Sequence, residues 1–194
     1  MKKFIIRNNT YSVISIIISV IINKILILPF WNRLGYKSNL IIIITFVSLV
    51  YYVIYVLFNI KYKDKRLKNY INKLIVIYMI FILAITYFKA RLPYITFVFN
   101  PFEFFFSIKE DILRGIANFI GNLLMYIPVG MYFRHRSYKS NKELVKIFLI
   151  FIIVVEFIQG ITKCGVFDTN DILTNTIGFI IGLNLYKSNK NIKR

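Results

Sequence analysis

Residues 40–60 carry no charged side chain, and nothing constrains this chain more than that run. A helix of that length rises about 30 Å at ~1.5 Å per residue, the thickness of a bilayer's hydrocarbon core. Five further segments approach the same length and apolarity, so the predicted membrane helices fall near 11–30, 40–60, 71–88, 116–133, 144–161 and 172–186. The first is interrupted by Asn23 and Lys24. The sixth covers only about 22 Å and needs its polar leading turn to reach across. A mean hydropathy of +0.65 over 194 residues agrees with an integral membrane domain and not a soluble globule. The expected fold is therefore all-α, a polytopic membrane helix bundle of about six helices.

Charge sets the expected orientation. The net charge of +18 would suit a nucleic-acid partner if it formed one basic face. Instead, Lys and Arg fall in short clusters between apolar runs, so no nucleic-acid partner is expected. With both termini cytoplasmic, the inner segments hold Lys2, Lys3 and Arg7, the basics of 61–73, Arg134 to Lys142, and the tail 187–194. That is well over half of the 26 basic residues, as the positive-inside rule requires. The predicted organisation is a three-helix membrane segment over 1–88, a core with an aromatic outer loop over 89–186, and a basic cytoplasmic tail over 187–194.

At the N-terminus, basic residues precede the apolar stretch from Tyr11 to Ile22, and no small-x-small cleavage site follows. This reads as an uncleaved signal anchor. Cys164 is the only cysteine, which excludes an intramolecular disulfide and a thiolate metal cluster, and it is expected to serve as an external labelling site. His135, the only histidine, falls on an inner basic loop, so neither a metal nor a cofactor is expected. Walker, G-x-S-x-G and H-E-x-x-H motifs are absent.

Against this apolar background stand Asn118, Asn122, Glu156, Gln159, Asp168, Asp171 and Asn175. Amides and carboxylates are costly in hydrocarbon and normally face a protein interior, a cavity or the interface. Asn118 and Asn122 share a helix face by their spacing of four, as Glu156 and Gln159 do by their spacing of three. Asp171, Asn175, Gly178 and Gly182 form one stripe, polar above and small below; Gly178-x-x-x-Gly182 lets a neighbouring helix approach closely. Pro128 is expected to break or kink the fourth helix locally. The alternating helix directions bring all these polar groups to comparable depth in the outer half. Arg91 and Arg114 are near enough in sequence to neutralise the acids. Two readings stand for the cluster: hydrogen bonds that fix helix register, or acid–base and substrate-orienting groups of a site. For Asp168 and Asp171 a helix terminus capped by Thr169 or Asn170 is a further reading.

The connection over 89–115 is unusually aromatic, with Tyr94, Phe97, Phe99, Phe102, Phe104, Phe105 and Phe106 between Pro93 and the fourth helix. Such a loop belongs in the headgroup region or folded back on the domain, either as an anchoring belt or as a lid over the polar groups.

These residues in this order resemble the VanZ-like family of small membrane proteins. The resemblance rests on Asn118-Phe119-Ile120-Gly121-Asn122 through Pro128-Val129-Gly130, then Glu156-Phe157-Ile158-Gln159. It closes with Phe167-Asp168-Thr169-Asn170-Asp171, Asn175, Gly178 and Gly182, and Asn100-Pro101-Phe102 looks like a compressed form of an element preceding that core. It covers roughly 90–186 and departs at Lys163-Cys164-Gly165, where relatives often have an arginine or a glycine-rich approach. The resemblance implies a bacterial cytoplasmic-membrane protein linked to low-level resistance to teicoplanin-type glycopeptides. The partners it implies are membrane lipids, lipid-linked cell-wall precursors or lipoglycopeptides. One expectation is a non-transporting envelope protein that alters how such drugs engage the membrane. The alternative is a membrane-embedded enzyme on a lipid-linked substrate, with Glu156 and Asp171 as acid–base groups and Asn118, Asn122 and Asn175 orienting substrate. A small proton-coupled transporter is the third, although no internal repeat of broken helices is evident.

Overall fold

The computed structural model describes residues 2–33, 39–60, 67–88, 91–102, 109 and 111–186. Phe104, Phe105 and Phe106, the acids Asp64, Glu103 and Glu110, and the tail 187–194 lie outside the described residues. The chain divides into two compact units, Met1–Ala90 and Arg91–Arg194.

In the first unit, α1 (Lys2–Ile22) continues through a π-helical stretch at Asn23–Ile27 into α2 (Leu28–Arg33), followed by α3 (Leu40–Ile60) and α4 (Leu67–Phe88). The Asn23–Lys24 interruption in the apolar run does not break the helix. The backbone widens to the i→i+5 pattern there, with Leu28 N–H donating to Asn23 O, and the Asn23 side chain is buried. One turn and two turns earlier on the same stripe, Ser19 and Ser15 are also buried and return their hydroxyls to Ile16 O and Tyr11 O. Small side chains at this spacing let α1 lie close on α3, where Ser12 Oγ and the Tyr51 hydroxyl are 2.9 Å apart. Ring contacts Tyr11–Phe58, Phe46–Phe81 and Tyr55–Tyr70 set α3 antiparallel to both neighbours.

The second unit contains β1 (Phe97–Val98), α5 (Ile112–Arg136), α6 (Asn141–Ile161), β2 (Phe167–Asp168) and α7 (Thr169–Leu185). Each helix start has a sequence cause. The Asp111 carboxylate accepts the Arg114 N–H at the head of α5. Ser140 and Glu143 form a reciprocal capping box at the head of α6. At the head of α7 the cap is Asp168 itself, accepting from Asn170 N–H at 2.8 Å, and not Thr169 or Asn170. Asp168 is extended (φ −127°, ψ 119°), which aims its carboxylate back over the first turn.

The α6 C-terminus closes with a Schellman turn: Cys164 N–H donates to Gln159 O and Lys163 N–H to Gly160 O. Lys163 occupies the left-handed position at φ 59°, where glycine is the usual residue.

Among the described residues, five helices are long and apolar enough to cross a membrane by length and composition: those around Thr10–Ile27, Leu40–Phe58, Asn69–Phe88, Ile112–Arg136 and Asn141–Ile161. The sixth, α7, has 17 residues and reaches only about 25 Å. Its environment differs from theirs, because half its length is buried against protein: Thr174, Asn175, Gly178, Phe179, Gly182 and Leu183 all lack solvent exposure. α7 is the central helix of this unit, running parallel to α5 and antiparallel to α6. Phe179 stacks on Phe148 of α6 at 4.1 Å and meets Phe133 of α5 edge-on.

The α5–α7 seam depends on glycine. A Cβ at Gly178 would strike Leu123 O; one at Gly182 would strike Ile127 O and stand 3.0 Å from Gly130 Cα; one at Gly130 would strike Phe179 O. Backbone therefore lies directly on backbone, where lipid supplies no hydrophobic drive and close dispersion contact must do so. α5 runs on through Pro128 as one helix. Pro128 is exposed on the face away from the seam, so the Leu124 carbonyl that loses its donor is on the side where little packing depends on it.

Candidate functional site

The helix directions bring the α5 start, the α6 end and the α7 start to one end of the second unit. There Asn122 of α5 donates from Nδ2 to Oδ1 of Asp171 on α7 at 2.6 Å. A neutral amide on a carboxylate is a charge-assisted hydrogen bond, stronger than an amide–carbonyl one. One turn deeper on α7, Asn175 is 3 % exposed, and its Oδ1 has no hydrogen-bond partner among the described residues.

α6 contributes its buried stripe of Leu144, Phe148, Ile152, Val155, Glu156, Gln159 and Gly160, a 3.6-residue periodicity that faces α7. Glu156 (4 % exposed) and Gln159 thus lie on the protein side of a helix whose other faces are apolar. A buried carboxyl demands compensation that an Ile or Leu at this position would not. The Gln159 amide lies against Gly165, where any Cβ would overlap it. Gly160 fits likewise under Phe167.

Other expected members fall elsewhere. Asn118 is exposed on α5, one turn above Asn122. Asp168 is engaged as a cap. Arg114 Nε is 3.7 Å from Asp111 Oδ2 on its own helix, and both side chains are about half exposed. Arg91 is exposed. Among the described residues no three His, Cys, Asp or Glu side chains gather as a metal-binding group. Cys164 is buried, its Sγ 3.7 Å from Thr162 O, so it is unsuited to the external labelling expected of it. His135 pairs with the Tyr186 hydroxyl at 2.6 Å at the opposite end of the unit.

The aromatic connection is part of this end. β1 pairs in parallel with β2, Phe97 with Phe167 and Val98 with Asp168. Phe167 N–H donates to Thr96 O, Leu92 N–H to Lys163 O, and Lys163 Nζ to Pro93 O. The alternation from Thr96 to Asn100 turns Thr96, Val98 and Asn100 inward and Phe97 and Phe99 outward. Phe97 and Phe99 stack with planes 7° apart, and Phe167 and Phe157 extend the cluster. Asn100-Pro101-Phe102 forms an Asx turn, Asn100 Oδ1 accepting from Phe102 N–H. Phe99 nonetheless remains 71 % exposed. Sequence reasoning missed the buried Thr174 and Gly160, and named Asn170 and Gly165 without their packing roles. Thr174 one turn after Asn170 was a readable i, i+4 pair, whereas the glycine contacts depend on tertiary approach.

Membrane-length helices around buried amides and carboxylates, with an aromatic ladder at the same end, define an integral membrane helix bundle with a polar interior cluster. The VanZ/LLP1 family matches residues 75–192, more than half of the chain, and the chain belongs to that family. Protein VanZ of Enterococcus faecium is 27 % identical over 125 residues, which is 62 % of this chain and 76 % of that protein. No solved structure matches. The family match begins inside α4, upstream of the 90–186 stretch that carries the sequence resemblance.

Proposed function

We propose that this VanZ/LLP1 protein acts at the outer face of the bacterial cytoplasmic membrane, where it alters how teicoplanin-type glycopeptides engage the bilayer or lipid-linked cell-wall precursors. The observation that carries this reading is the aromatic shelf of Phe97 and Phe99, pinned by backbone hydrogen bonds to the turn that leads into Asp168 and Asp171. Exposed rings on a fixed backbone suit acyl chains and the headgroup boundary. Similarity to Protein VanZ and the basic-residue distribution support the setting.

The test is teicoplanin susceptibility of a sensitive Gram-positive host expressing wild type, Glu156→Gln or Asp171→Asn at matched membrane levels, with an acyl-free glycopeptide in parallel. Wild type is expected to protect against the acylated drug alone. Equal protection against both drugs, or none, would overturn the reading.

The buried Glu156, and Asp171 hydrogen-bonded by Asn122, favour a second reading: acid–base catalysis on a lipid-linked substrate. It requires that both conservative variants abolish protection without lowering abundance and that overexpression changes the lipid-precursor profile. An unchanged profile rules it out.

A further inference from the structure

At the end of the second unit opposite the ladder, α6 and α7 line a groove of about 370 Å³. Its walls are Val145 and Leu149 on α6 and Ile180 and Leu183 on α7, and Lys142 and Lys146 stand beside it. Lys142, Val145, Lys146 and Leu149 are spaced three and four apart, so ammonium groups and apolar wall share one helix face. Asn141 and Asn184 close the mouth, Asn141 Nδ2 donating to Asn184 Oδ1 at 3.3 Å.

Among the described residues no carboxylate pairs with these two ammonium groups. Lys146 lies five residues into α6, about 7 Å along a membrane-length helix. Glu143, one residue from Lys142, directs Oε2 to the Ser140 N–H and hydroxyl, each at 2.8 Å, and forms no ion pair among the described residues. Other basic groups crowd this end: Arg134, Arg136 and Lys139, with Arg134 donating to Lys139 O. An ammonium at the edge of hydrocarbon, beside an apolar groove, is complemented by a molecule that joins an anionic headgroup to an acyl chain.

We propose that the α6–α7 groove binds an anionic phospholipid, its phosphate between Lys142 and Lys146 and one acyl chain along Val145, Leu149, Ile180 and Leu183. The basic tail that follows α7 is the wrong charge to compete for it.

Native mass spectrometry of the full chain, released from micelles supplemented with phosphatidylglycerol or phosphatidylcholine, tests this. Wild type is expected to retain phosphatidylglycerol and not phosphatidylcholine. Lys142→Gln/Lys146→Gln should weaken retention by at least about tenfold. Arg136→Gln/Lys139→Gln, which removes equal charge outside the groove, should change it by less than about twofold. Leu149→Trp, which fills the groove and leaves the charge intact, should reduce retention as the lysine pair does. Equal loss in both charge variants would overturn the proposal in favour of general surface attraction. Displacement of the lipid by millimolar inorganic phosphate would overturn it by showing an anion site without an acyl requirement. Retention of a second copy of the chain in place of lipid would overturn it as well.

Discussion

Two side chains at the ladder end are written in the sequence as ordinary residues and take on meaning only in the fold. Asn122 was legible as a polar residue on an apolar helix, but its partner was not, because Asp171 is 49 residues away and reached only through the parallel α5–α7 register. Buried interhelical hydrogen bonds in membrane proteins average ~0.6 kcal/mol and reach about 1.7. The carboxylate acceptor puts this one toward the upper end. A double-mutant cycle of Asn122→Leu and Asp171→Leu, followed by denaturant unfolding in micelles, should give a coupling of about 1–2 kcal/mol. A coupling of zero would mean the two groups exchange partners freely. Lys163 stands in the sequence as a departure from the family pattern; its left-handed φ comes from the Schellman turn, which no local motif announces. That conformation costs an L-residue roughly 1–2 kcal/mol, whereas its exposed bond to Pro93 O returns at most about 1. Lys163→Gly should therefore unfold at or above the wild-type midpoint and Lys163→Ala about 1 kcal/mol below Lys163→Gly. An alanine variant as stable as the glycine one would contradict the assigned backbone conformation.

Among the elements, α7 shows how far periodicity reads and where it ends. The four-residue spacing of Gly178 and Gly182 marks a close-packing stripe in the sequence, but Gly130 enters the same seam from α5 and has no glycine four residues away. Gly121 looks equivalent in sequence to these glycines and is not, since a Cβ there meets nothing within 4 Å. Alanine should separate the two classes. Gly182→Ala is expected to destabilise the chain by about 1–3 kcal/mol, because backbone must move to admit the methyl. Gly121→Ala should be neutral or stabilising by up to ~1 kcal/mol through helix propensity. Thermal unfolding in a mild detergent checks both, and similar midpoints for the two variants would refute the seam. Pro128 lies inside a helix that continues past it, on an exposed face where the lost ladder bond disturbs little packing. Helix positions were legible because length and apolarity are local properties. The ladder was not, since two residues pairing with two others carry no period.

For the whole molecule, orientation is the property most open to direct test, and the structure selects better probes than the native thiol. Cys164 is buried, so its silence toward an impermeant maleimide would say nothing about sidedness. Tyr94 (68 % exposed) and Tyr138 (91 % exposed) lie at opposite ends of the second unit. In a Cys164→Ser background, Tyr94→Cys should label on intact cells and Tyr138→Cys only after permeabilisation, following the positive-inside rule. The reverse pattern would invert the topology. The β1–β2 ladder also has a consequence for the order in which the chain is made. Phe97 and Phe167 are paired, yet the ribosome adds the second 70 positions after the first. At ~5–20 residues per second, the aromatic strand waits roughly 4–14 s for its partner. Throughout that interval its open backbone edge and outward phenyl rings have no ladder to hold them. Biogenesis of this protein thus includes a window in which the aromatic strand is unpaired, and it closes only when β2 arrives.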